Sequence, residues 1–85
     1  MNIEIKDLSH GPIYAQVRDQ IQSLISGGQL TAGEQLPSPA SVATNLSVDR
    51  GEVQRAYFEL EIAGVLQKES SSDFLGKPRF TYRVA

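Results

Sequence analysis

Residues 38–64, "SPASVATNLSVDRGEVQRAYFELEIAG", decide the fold. Ser38 stands directly before Pro39: a hydroxyl suited to an N-cap, then a proline whose fixed φ and missing N–H fit the first helical position. Val42, Ala43 and Leu46 supply the apolar side of a short helix. Asp49 and Glu52 then form a D-x-x-E pair at the start of a second helix, where the aspartate can accept from free first-turn N–H groups and both carboxylates favour the positive helix end. Val53, Ala56, Tyr57 and Leu60 follow at helical spacing, and Gly64 ends the run where a left-handed residue costs least. The stretch therefore reads as helix, turn, helix.

Upstream, "GPIYAQVRDQIQSLISGG" (residues 11–28) places Tyr14, Val17, Ile21 and Leu24 on one helical stripe, with Pro12 suited to the first turn and Gly27-Gly28 to the end. Between this helix and Ser38, Gly33 marks a turn flanked by Leu30 and Leu36, which predicts a short extended segment. Downstream, "VLQKE" reads as a strand, "SSSD" as a turn and "RFTYRVA" as a second strand. In that second strand Phe80, Tyr82 and Val84 alternate with Arg79, Thr81 and Arg83. The order predicts a mainly α fold with a small β component, a winged helix-turn-helix of three helices and a β-hairpin, over residues 12–85. Residues 1–11 read as an N-terminal arm.

At 85 residues the chain is one small domain with a single modest core. A ligand-sensing lobe is expected to lie on another chain, and no small-molecule effector site is evident. There is no cysteine, so neither disulfides nor thiolate-held metal are expected, and packing must hold the fold. The apolar runs are too short for a membrane span, and "MNIEIKDLSH" lacks the basic and apolar regions of a signal peptide. A cytoplasmic protein is expected. The net charge of −2 argues against a general polyanion binder, because non-specific nucleic-acid affinity comes from Lys and Arg neutralising phosphates. The C-terminal stretch is nevertheless locally basic, with Lys68, Lys77, Arg79 and Arg83 against Glu69 and Asp73.

Catalytic chemistry finds little support. His10 is the single histidine and lies in the arm, where a solvated role is expected. Without cysteine or a second histidine there is no nucleophile–base pair and no zinc site. No glycine-rich loop cradles phosphate. Neither an enzyme nor a cofactor is expected.

The segment "PIYAQVRDQIQSLISGGQLTAGEQLPS" followed by "VATNLSVDRGEVQRAYFELEIAGVL" resembles the N-terminal DNA-binding domain of GntR-family bacterial transcription regulators, particularly the short YtrA-like branch, here without an effector domain. The resemblance rests on Pro-Ile-Tyr, Gly-x-Leu, Gly-x-x-Leu-Pro-Ser, Leu-x-Val-x-Arg, Ala-Tyr and Leu-Glu-x-x-Gly, in order, between Pro12 and about Leu66. It implies a sequence-specific regulator whose third helix enters the major groove of double-stranded DNA. By the resemblance, Ser38, Arg50 and Arg55 occupy DNA-contacting positions. Position in the first turn agrees for Arg50, with Gly51 beside it and Gln54 as a second base reader, Arg55 and the Ser38 region on phosphate, and Arg79 and Arg83 flanking the site. Read from the residues alone, Arg50 is instead a helix-start residue paired to Glu52 or Asp49.

Departures accompany the resemblance. The polar pair usual after Leu-Pro-Ser is replaced by Pro39-Ala40-Ser41, which removes one DNA-contacting arginine. Asp49 and Glu52 replace small polar residues, and either capping or, for Glu52, a cytosine amino group accounts for the carboxylate. The usual Gly-x-Gly-Thr-Phe-Val wing leaves Gly76 and "YRVA" as remnants. Family members bind palindromes as dimers, so pairing here must use the arm, an exposed patch or a second protein chain.

At about 100° per residue, with Val53 at zero, Gly51, Phe58 and Ile62 fall between roughly 140° and 180°, away from the core. Either the hairpin loop carrying Phe74 and Leu75 folds back over Phe58 and Ile62, or these residues form a protein interface. The second possibility motivates an alternative function: a winged-helix interaction module, partner or antagonist of another regulator, that has lost DNA binding.

Overall fold

The computed structural model describes residues 1–85. Its elements are α1 (Ile13–Ser26), β1 (Gln35–Leu36), α2 (Pro39–Leu46), α3 (Arg50–Ile62), β2 (Leu66–Ser72) and β3 (Pro78–Val84), preceded by a 3-10 turn at Leu8–His10. The three strands form one antiparallel sheet in the order β1-β3-β2, with Leu36 opposite Tyr82 and Leu66 opposite Val84. The expected winged helix-turn-helix is the observed architecture.

The helix boundaries follow from local chemistry. Ser38 Oγ accepts from the Ser41 N–H and Pro39 opens α2, while Ser47, at φ 55°, closes it. Asp49 Oδ2 accepts from the Gly51 N–H to open α3. Gly64, at φ 78°, turns the chain from α3 towards β2.

The core is built from the stripes read in the sequence. Val17 and Ile21 of α1, Val42 and Ala43 of α2, and Val53, Ala56, Tyr57 and Leu60 of α3 are buried with Leu30, Leu36, Leu66 and Val84. Leu24 and Leu46 lie at its edge. Tyr57 is fully enclosed; its hydroxyl donates to the Pro37 carbonyl at 2.8 Å, and its ring meets Tyr82 edge-on at 5.0 Å. Burial pushes that hydroxyl well above the usual tyrosine range.

The first residues are packed against α1. Ile3 joins the core. Buried Gln16 accepts from the Lys6 N–H at 2.8 Å and donates to the carbonyls of Lys6, Asp7 and Gly11. Gln20 makes a second two-way contact, with the backbone of Glu4.

Three sequence expectations are corrected. The serines of "SSSD" are strand, not turn: Ser70, Ser71 and Ser72 pair with Phe80, Arg79 and Pro78. The reversal lies at Asp73–Gly76, because Asp73 Oδ1 accepts from the Leu75 and Lys77 N–H groups and Gly76 adopts φ 78°. The hairpin tip therefore stands off the body, and Phe74 and Leu75 do not cover the α3 pair: they are 95% and 66% exposed, beside 49% for Phe58 and 71% for Ile62. Finally, Tyr14 is not a core member of the α1 stripe. Its ring sits at the α1–α3 edge beneath the Arg55 guanidinium.

Candidate nucleic-acid interface

The outward face of α3 begins at its capped end. Arg50, Gly51 and Gln54 are exposed. Arg50 pairs with no carboxylate: Asp49 is occupied by the Gly51 N–H, and Glu52 points to the other side of the helix. A Cβ at Gly51 would lie 2.8 Å from Asp49 Oδ2, so a side chain there would displace the cap.

Glu52 does cap a helix, but not its own. Its Oε2 accepts from the Tyr14 N–H at 2.9 Å, in the first turn of α1. Pro12, at the N-cap of α1, offers no side-chain acceptor, so the carboxylate from α3 fills that role. The expectation that Glu52 serves the start of its own helix, and the alternative that it meets a cytosine, both give way to this geometry.

Arg55 belongs to the same flank. Its guanidinium lies 3.7 Å from the Tyr14 ring centroid, and its Nε donates to Glu59 Oε2 at 3.3 Å. Arg18 of α1 reaches the other oxygen of Glu59 at 2.7 Å and also donates to Asp19 at 2.9 Å. The Arg18 guanidinium holds the Glu59 carboxyl below the usual carboxylate range, and Arg55 adds to the effect. Asp19, then Glu59, raise the Arg18 guanidinium above its own range. Arg55 is thus a clamp between α1 and α3 whose side chain is still 59% exposed.

The hairpin sorts its cations by face. Cross-strand pairing puts Lys68 and Tyr82 together on the side that meets α3, where Pro39, Gln54, Phe58, Glu61, Lys68, Phe80 and Tyr82 line an open groove. The Lys68 ammonium rests 4.4 Å from the Phe80 ring centroid. Arg79 and Arg83 alternate onto the opposite side of β3. Arg83 is engaged there, donating to Glu69 at 3.1 Å and to the Gly33 carbonyl at 3.1 Å. Arg79 and Lys77 are exposed near the tip and pair with no acid. Ser38 keeps an exposed hydroxyl while accepting from Ser41.

The structure therefore groups Arg50, Gly51, Gln54 and Phe58 on one face of α3, with Ser38 close by at the start of α2, and separates Arg55 and Arg83 from them by tying both to carboxylates. Lys68 and Phe80 were missed as site residues. The signal was present, since Lys68 is two residues from buried Leu66 and shares its face of the strand.

No helix is long and apolar enough to cross a membrane. Residues 13–73 match the family described as bacterial regulatory proteins, gntR family. Among individual relatives, the HTH-type transcriptional repressor YtrA of Bacillus subtilis is 35% identical over 65 residues, covering 76% of this chain and 50% of that protein. The mannosyl-D-glycerate transport/metabolism system repressor MngR of Escherichia coli is 28% identical over 78 residues, covering 91% of this chain and 32% of that one. The chain thus spans half or less of these relatives. Among solved structures, YtrA from Sulfolobus acidocaldarius, a GntR-family transcription factor, superposes with a TM-score of 0.74 at 33% identity, covering 99% of this chain and 82% of that one. With the family pattern running through most of its length and the matching fold in place, this chain belongs to the gntR family of bacterial regulatory proteins.

Proposed function

We propose that this chain is the sequence-specific DNA-binding module of a cytoplasmic transcription regulator, acting by binding and not by catalysis. The observation that carries the reading is the capped start of α3, where Arg50 and Gln54 stand exposed without intramolecular partners while Asp49 and Glu52 are both consumed by helix capping. An unpaired arginine can read guanine O6 and N7 in a bidentate fashion, and a glutamine can read adenine N6 and N7. Exposed Ser38, the partly exposed Arg55 side chain, and Lys68 and Lys77 of the hairpin supply phosphate contacts that fix register, with Arg79 on the far side of β3 flanking them. Arg83 acts mainly by holding the hairpin. Family membership and relatives named as transcriptional repressors support the same reading. Two copies on a palindrome follow from the usual logic of helix-turn-helix dimers.

The test is selection of bound sequences from a random duplex pool, at about 50 mM and about 200 mM salt. Enrichment of a palindromic motif that weakens with salt is expected. No retention at the lower salt refutes the reading.

A second reading, a protein-interaction module, is favoured by one observation: Ile62, Phe74 and Leu75 are exposed and uncovered. It predicts that the chain retains no duplex DNA and that Ile62→Asp abolishes a protein complex.

A further inference from the structure

On α3, Arg50, Gln54 and Phe58 recur at steps of four and form one outward stripe. The first two are polar and unpartnered. The third is a phenyl ring, 49% exposed, at the groove between α3 and the hairpin. Packing accounts for only part of it: the groove with Phe80 and Tyr82 covers about half of the residue, the core side of α3 is filled by Val53, Ala56, Tyr57 and Leu60, and the exposed half is not covered by the hairpin tip.

We infer that Phe58 is a base-reading side chain whose ring packs against the 5-methyl group of a thymine in the major groove, next to the base pair met by Gln54. This assignment rests on the DNA-binding reading and deepens it by naming an apolar specificity contact. Base edges in the major groove present hydrogen-bond donors and acceptors, with one apolar exception, the thymine methyl. A phenyl ring can neither donate nor accept, so that methyl is the feature of a base edge that offsets its approach.

The spacing fits. Four residues of helix rise about 6 Å, which is under two base-pair steps of about 3.4 Å each. Glutamine at the preceding position matches adenine, so the two residues together favour a half-site containing A·T pairs. Lys68, across the groove, supplies the cation for a neighbouring phosphate. Glu61 is the one acid lining the groove and lies on the C-terminal side of Phe58, which bounds the DNA-facing strip at that end.

The experiment uses two random duplex pools, one synthesised with thymidine and one with deoxyuridine, which differ only in the 5-methyl group. The chain and its Phe58→Ala variant are then titrated against the enriched duplex and against copies carrying single thymine-to-uracil changes. The native chain is expected to prefer thymine at one position by about fourfold, the worth of one buried methyl group. The Phe58→Ala chain, folded by circular dichroism, should bind both duplexes alike, and Phe58→Leu should keep part of the preference. Equal native affinity at every thymine and uracil overturns the assignment and leaves the DNA reading standing. A thymine preference that survives Phe58→Ala also overturns it, and loss of a dimer in sedimentation would then place Phe58 between copies. Failure of both pools to enrich any sequence overturns both readings.

Discussion

Replacing Glu52 with alanine separates a capping carboxylate from one that meets DNA. In the structure, Glu52 Oε2 is 2.9 Å from the Tyr14 N–H, and Pro12 provides α1 with no side-chain cap of its own. Truncation leaves that first-turn N–H without its acceptor and takes a negative charge from the positive end of α1. Losing an N-cap acceptor costs about 0.5–2 kcal/mol, typically near 1 kcal/mol. For a domain of this size, 1 kcal/mol lowers Tm by roughly 4–8 °C. Thermal and urea unfolding followed by circular dichroism measure the loss, and Glu52→Gln, which keeps a carbonyl acceptor, should recover most of it. Affinity for duplex DNA should change little. A variant that melts like the native chain, or that gains steeply salt-dependent DNA affinity at unchanged stability, would refute the capping role.

Arg50→Ala should cost about 1–3 kcal/mol of specific DNA binding and leave the melting curve in place; fluorescence anisotropy beside a melt checks both. Tyr57→Phe removes the hydrogen bond to the Pro37 carbonyl and should destabilise the fold by about 0.5–1.5 kcal/mol in urea titrations. Glu59→Gln tests the α1–α3 ion pairs. Because Arg18 holds the Glu59 carboxyl below its ordinary range, the ionised form stabilises the fold. That contribution is complete above the unfolded-state carboxylate pKa and is lost as pH falls through the lowered folded-state value. The native chain should therefore exceed Glu59→Gln in stability at neutral pH, with the gap closing in strong acid. A gap that is the same at all pH values would contradict the pairing.

What was legible in the sequence were features written locally. The stripe Val53, Ala56, Tyr57 and Leu60, the caps at Ser38 and Asp49, and the alternation of Phe80, Tyr82 and Val84 each depend on neighbours within a few residues. They gave the helices, the second hairpin strand and the outward placement of Phe58 and Ile62. Glu52 was misassigned because its partner Tyr14 lies 38 residues away, where spacing carries no signal. The resemblance gives Arg55 a phosphate role, and only the packing of α1 against α3 puts Tyr14 and Glu59 around it. Ser70–Ser72 have weak strand preference, and their composition favours a turn. Pairing with β3, and the turn chemistry concentrated at Asp73 and Gly76, override that preference. The bonds of Gln16 to Lys6, Asp7 and Gly11 were likewise invisible, since a glutamine on a helix ordinarily faces water.

The most direct measurement is an amide chemical-shift map of the isotope-labelled chain titrated with the duplex recovered from selection. Binding through the outward stripe of α3 and the near side of the hairpin predicts the largest changes at Arg50, Gly51, Gln54 and Phe58, with further changes at Lys68 and Lys77 and much smaller ones at Arg18 and Asp19 on α1. Changes centred on α1, or on Ile62, Phe74 and Leu75 with Arg50 and Gln54 unmoved, would contradict it.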